Sequence, residues 1–223
     1  MPRHERVAIL VDHKNLRLTL NNGYKVFDTQ TRSMKEVTPH EKFESYLGIN
    51  VYPREKKLIN LPFWSSLQKQ ILQQYVKNSF TASSIADITH MGTWLFISQR
   101  AHPYLEEPYD DEEIAFLDLM SEVDSLFGYI AKYSIDNTSR ANKGVDVNLV
   151  CQMLLGAFQD EYDTCILVSD DLSFVPSVDI AQNYRNKRIF HAGFTIGPLR
   201  AACYGSIPFE NGGFQKIFPI SPT

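Results

Sequence analysis

Four carboxylates of this chain stand where chemistry is done. Asp12 closes the apolar run Val7 to Val11, and the adjacent Asp170 and Asp171 follow a second run, Thr164 to Ser169. Asp146 comes just after Lys143-Gly144, in the first turn of an amphipathic segment. Short apolar runs of this kind read as strands buried on both faces of a parallel sheet. Their closing acids therefore lie at the carboxyl ends of strands, the edge at which open parallel sheets bind ligands. Like charges gathered there raise one another's pKa values unless a cation neutralises them. Oxygen-only ligation by Asp12, Asp146, Asp171 and Asp170 suits Mg²⁺ or Mn²⁺, not zinc. A divalent cation held this way points to phosphodiester chemistry. Each acid also has a plainer reading, Asp12 and one of the adjacent pair as helix caps and Asp146 as a first-turn acid. The conjunction of all of them at one edge is what favours a site.

Polar neighbours fill out the picture. Asn15, Lys143 and Ser169 share turns with the acids and are assigned to substrate binding, with Asn15 orienting Asp12 or meeting a phosphate. Lys14, Arg17, Arg140 and Arg185 join Lys143 as candidates for a phosphate-contacting rim, against the commoner reading of scattered solvated charges. His13 is beside Asp12 but reads as a surface residue. The six histidines show no H-x-x-x-H spacing, and Ser169 lies outside any G-x-S-x-G elbow, so it is not read as a nucleophile. Neither G-x-x-x-x-G-K-[ST] nor G-x-G-x-x-G occurs, which leaves nucleotide cofactors without support. A phosphotransferase would want D-x-D after the first strand, where Lys14 follows Asp12 by two.

The elements that must position these residues alternate between strand and helix. Strands are expected over residues 7–11, 93–98, 128–135, 164–169 and 188–193, and helices over 63–80, 112–126, 144–159 and 172–184. Residues 215–220 are a candidate edge strand. This order predicts an α/β fold, a three-layer α/β/α sandwich around a mostly parallel sheet. One domain spans 1–223, with an elaborated insertion at about 23–62 and a Gly/Pro-rich tail from about 195. The segment between 23 and 127 offers room for a substrate channel or a homodimer interface.

Composition narrows the function classes. An apolar fraction of 43% supports a full core. A net charge of -4 argues against generic polyanion binding, though an acidic centre inside a basic rim is compatible with it. Three widely spaced cysteines with no C-x-x-C pair argue against zinc knuckles and disulfide frameworks. Cys151 and Cys165 read as small core residues. With no apolar run of 18 residues and no signal-like start, the expectation is a cytoplasmic protein with no membrane contact.

Three motifs together carry a resemblance. Asp12-His13-Lys14-Asn15 reads D-x-x-N, Lys143 to Val147 reads K-G-V-D-V, and Ser169 to Pro176 follows S-G-D-x-D-F-x-P in part. In these the chain resembles the NYN domain, a branch of the PIN-like metal-dependent nucleases, over roughly residues 5–22 and 128–195. The resemblance implies a ribonuclease acting on single-stranded RNA, with Asp12, Asp146 and Asp171 as the catalytic metal-binding acids. Two positions depart from the family pattern: Ser173 and Gln152 stand where acids are usual, and Asp170 stands in place of a glycine. Those departures imply an alternative, a catalytically impaired relative that binds RNA or a protein partner.

Overall fold

The computed structural model describes residues 4–13, 15–16, 19, 24–28, 33–37, 61–79, 81–98, 126–131, 143–194, 197–209 and 214. Its main sheet contains β1 (Glu5–Asp12), β4 (Ile88–Ser98), β5 (Leu126–Ala131), β6 (Thr164–Val168), β7 (Arg188–Gly193) and β8 (Gly205–Pro208). Every pairing in it is parallel, in the order β5-β4-β1-β6-β7-β8. A separate antiparallel pair is formed by β2 (Tyr24–Asp28) and β3 (Ser33–Val37).

Strand alternation sorts the core into two halves. In β1, Val7, Ile9 and Val11 face one cluster while Ala8 and Leu10 face the other. β6 divides likewise, with Ile166 and Val168 against Cys165 and Leu167. Helix α1 (Leu61–Asn78) covers the first face through Trp64, Leu67, Ile71 and Tyr75, at helical spacings of three and four. Helix α2 (Lys143–Phe158) covers the second with Val145, Leu149, Met153 and Ala157, one residue per turn. Helix α3 (Val175–Arg185) joins it through Val178 and Ala181, and the short α4 (Pro198–Ala202) adds Leu199. The result is the expected three-layer sandwich.

Several expectations are corrected. The sixth strand is Gly205–Pro208, a stretch whose Gly, Ser and Pro content hides it from propensity reasoning. Pro208 is tolerated because β8 lies at the sheet edge. The helix expected from Leu172 begins with a 3₁₀ turn, Leu172–Phe174, and becomes α-helical at Val175, with Pro176 inside its first turn where no N–H partner is lost. Cys151 is exposed on α2 while Cys165 is buried. The helix expected over 112–126, apart from Leu126 in β5, lies outside the described residues, as do Lys14, Arg17, Arg140 and the stretch 215–220. Among the described residues no helix is long and apolar enough to cross a membrane.

At the opposite, amino-terminal edge of the sheet a buried ionic network ties β1 to its neighbours. The Glu5 carboxylate accepts hydrogen bonds from Tyr75, Thr164 and Thr81 and pairs with Arg188. Burial raises its pKa, but those hydroxyls and the guanidinium outweigh burial and hold it below the usual range.

Candidate active site

In the main sheet the first strand in the chain is flanked by the second and the fourth, so the winding direction reverses between β1 and β6. At such a switch point the loops leaving the two strands part, opening a crevice beyond their carboxyl ends. Asp12 ends β1 there and Ser169 follows β6, and the Ser169 hydroxyl donates to Asp12 Oδ2 at 2.9 Å.

Asp12 is the centre of the arrangement. It is only 3% exposed. Its Oδ1 accepts the Asn15 backbone N–H at 3.0 Å, which turns the chain into helix directly after the strand. Burial pushes the Asp12 carboxyl up to about 6. The bonds from Asn15 and Ser169 lower it, and the negative charges of Asp146 and Asp171 raise it further. Both other acids of the expected set therefore act electrostatically on Asp12. Asp146 gets there from the first turn of α2, whose N-terminus opens at this edge.

Asp171 has a second task. Its Oδ1 accepts the Ser173 N–H at 2.8 Å, capping the 3₁₀ turn, and its own N–H donates to Ser169 Oγ at 3.1 Å. The adjacent Asp170 points elsewhere. Its Oδ1 meets His191 Nε2 at 2.9 Å and its Oδ2 accepts the Phe194 N–H at 3.3 Å. Both oxygens are thus engaged toward β7 and its following residue. The Asp170 backbone N–H instead serves Asn15, donating to its Oδ1 at 2.9 Å. Asn15 so bridges β1 and β6 with both its backbone and its side chain.

Other assignments also move. His13 is buried, not on the surface, and its ring lies 5.8 Å from that of Trp64. Arg185 lies at the far end of α3, where its guanidinium donates to the carbonyls of Ala157 and Phe158 and stacks on the Phe158 ring at 4.8 Å. It caps the C-terminus of α2 and takes no part in a rim at the acidic edge. Of Lys143 only the helical backbone is described. His191 and Gly193, which shape the surroundings of Asp170, gave no signal in the sequence, since nothing local marks a strand histidine as the partner of an acid about twenty residues away.

Among the described residues no group of three or more His, Cys, Asp or Glu side chains is gathered tightly enough to hold a metal as a ready-made cage. The charge balance nonetheless suits a hard cation. A buried carboxylate held reluctantly ionised, with two more negative charges acting on it, is stabilised by divalent charge, and a carboxylate that accepts two hydrogen bonds keeps further lone pairs.

A family model, the NYN domain, matches residues 85–210. Among solved structures, a protein of unknown function from Vibrio parahaemolyticus is similar over 95% of this chain and 96% of its own, with a TM-score of 0.53 and 18% identity. No curated protein matches the chain.

Proposed function

The chain belongs to the NYN domain family, and on that premise we propose that it is a metal-dependent ribonuclease cutting phosphodiester bonds of single-stranded RNA. One observation carries the reading: at the switch point of the sheet, a buried Asp12 is raised to about 6 with Asp146 and Asp171 acting on it. Asp12, Asp146 and Asp171 would hold Mg²⁺ or Mn²⁺. When bound, the cation supplies an activated water and offsets charge at the scissile phosphate. The chain's own residues do the rest. The Asn15 N–H and the Ser169 hydroxyl orient the two oxygens of Asp12, and Asp171 stays anchored by the Ser173 N–H. Lys143, in the first turn of α2, is assigned to the phosphate backbone of the substrate. Three free cysteines suit a reducing compartment, and the cytoplasm is proposed on that ground.

The test is cleavage of single-stranded RNA by purified protein with Mn²⁺. Asp146→Asn is expected to abolish it, and equal cleavage by both proteins would assign the activity to a contaminant. A second reading, an impaired relative that binds RNA or a partner, is favoured by Ser173 and Gln152, which stand where acids are usual, and by Asp170, whose oxygens already serve His191 and Phe194. Calorimetric titration separates the two readings, because a wild type that takes up no Mn²⁺ belongs to the second.

A further inference from the structure

His191 is 1% exposed and lies on β7, one strand over from the turn that carries Ser169, Asp170 and Asp171. Its Nε2 is 2.9 Å from Asp170 Oδ1, while its Nδ1 is buried with no hydrogen-bond partner. A buried ring nitrogen left unmatched lowers stability, and an apolar pair of similar volume would avoid that cost. The polar pair is therefore a poor device for stability alone. Space has also been made for it. A Cβ on Gly193 would come within 2.6 Å of Asp170 Oδ1 and 2.9 Å of His191 Nε2. A side chain at 193 would force one of the two groups to shift.

The pair holds one end of a chain of contacts that ends on Asp12. The Asp170 N–H reaches Asn15 Oδ1 at 2.9 Å, and the Asn15 N–H reaches Asp12 Oδ1 at 3.0 Å. From the same turn, the Ser169 hydroxyl reaches Asp12 Oδ2 and the Asp171 N–H reaches Ser169 Oγ. All these contacts run through the one turn that Asp170 joins to β7.

We propose that Asp170 and His191 form a positioning pair for the acidic site, fastening the turn after β6 to β7 so that Asn15 and Ser169 fix the Asp12 carboxylate relative to Asp171. The consequence for cation binding rests on the ribonuclease reading above, whereas the mechanical link does not. Asp170→Ala and His191→Phe, made separately in the full chain, break the pair in different ways, so that either one reads out if the other fails to fold. Asp170→Asn keeps the same shape beside Gly193, with its oxygen for the Phe194 N–H and its NH₂ to donate to His191 Nε2 in the tautomer that carries the proton on Nδ1.

Two measurements are needed, Mn²⁺ titration calorimetry and amide hydrogen exchange without metal. Both disrupting variants are expected to bind Mn²⁺ about 10–100-fold more weakly, the range for lost supporting partners of metal ligands. They are also expected to speed exchange at the Asn15 and Asp171 amides while Ile9, in the middle of β1, stays protected. Asp170→Asn is expected to restore both readouts, which a general loss of stability would not allow. Unchanged exchange at Asn15 and Asp171 in both disrupting variants overturns the proposal, even if the wild type binds Mn²⁺. A wild type that takes up no Mn²⁺, with exchange still faster in the variants, overturns the metal reading and leaves the positioning pair standing.

Discussion

Replacing Asp12 by Asn should make the metal-free protein more stable while removing what its site needs. The folded carboxyl is raised from 3.8 to about 6. At 1.36 kcal/mol per unit, ionising it in the folded protein costs about 3 kcal/mol relative to the unfolded chain. Because the folded value lies above the unfolded one, the cost is absent below about pH 4, grows as pH rises through the interval between the two values, and is complete above about pH 6. The asparagine keeps an oxygen for the Asn15 N–H but turns an NH₂ toward Ser169, whose hydroxyl proton loses its acceptor, at about 1 kcal/mol. The net expectation at pH 8 in a chelator is a gain of about 2 kcal/mol, or roughly 4–8 °C in Tm for a chain of this size. Thermal melts at pH 8 and pH 4 check it: the gain should disappear at pH 4, where the wild-type carboxyl is already neutral. Added Mn²⁺ should raise the wild-type Tm and leave the variant unmoved, by mass action on the folded state. A variant less stable than wild type at pH 8, or a gap that ignores pH, would refute the claim that Asp12 is held ionised against its surroundings.

Three further outcomes follow from the same geometry. Arg188→Met strips Glu5 of its cation while keeping its hydroxyl donors, and should cost about 3 kcal/mol at pH 7 in denaturant unfolding. Because the folded Glu5 value is lowered, its contribution is present above 4.5 and is lost as pH falls through the folded value, so the deficit of this variant should shrink in acid. Gly193→Ala pushes a methyl against Asp170 and His191 and should destabilise by about 1–3 kcal/mol, with a lower Mn²⁺ affinity by calorimetry. Arg185→Ala should cost about 1 kcal/mol through the lost contacts at the end of α2 and leave RNA cleavage unchanged, since it lies at the far edge of the sheet.

Much of the architecture is legible because it is written in local pattern. The run Val7 to Val11 can hardly be anything but a doubly buried strand, and Val145, Leu149, Met153 and Ala157 mark a helix face one turn apart. The acids Asp12, Asp146 and Asp171 are legible for the same reason, because each is adjacent to the element that presents it. What stays hidden depends on neighbours brought in from afar. The engagement of Asp170 depends on His191 and Gly193 on another strand, and the destination of Arg185 on the carbonyls at the end of α2. The strand Gly205–Pro208 is hidden differently: its residues have little strand preference of their own, and it pairs only because β7 offers an open edge.

The central place of β1 has a consequence for how the chain comes into being. Its partner β6 lies far downstream; Arg6 and Asp163, joined at the start of the pairing, are 157 positions apart. At translation rates of about 5–20 residues per second, roughly 10–30 s pass between the emergence of one strand and of the other. Throughout that interval the apolar run Val7 to Val11 has an unmatched ladder on at least one side, the kind of segment that chaperones shield and that aggregates when they do not. Pairings so distant in sequence are also slow to close once both strands exist. The crevice at the switch point, which straddles this seam, can therefore form only late in biogenesis, and a ribosome-bound intermediate stalled before residue 164 would carry Asp12 and Asp146 without the strand that completes the proposed site.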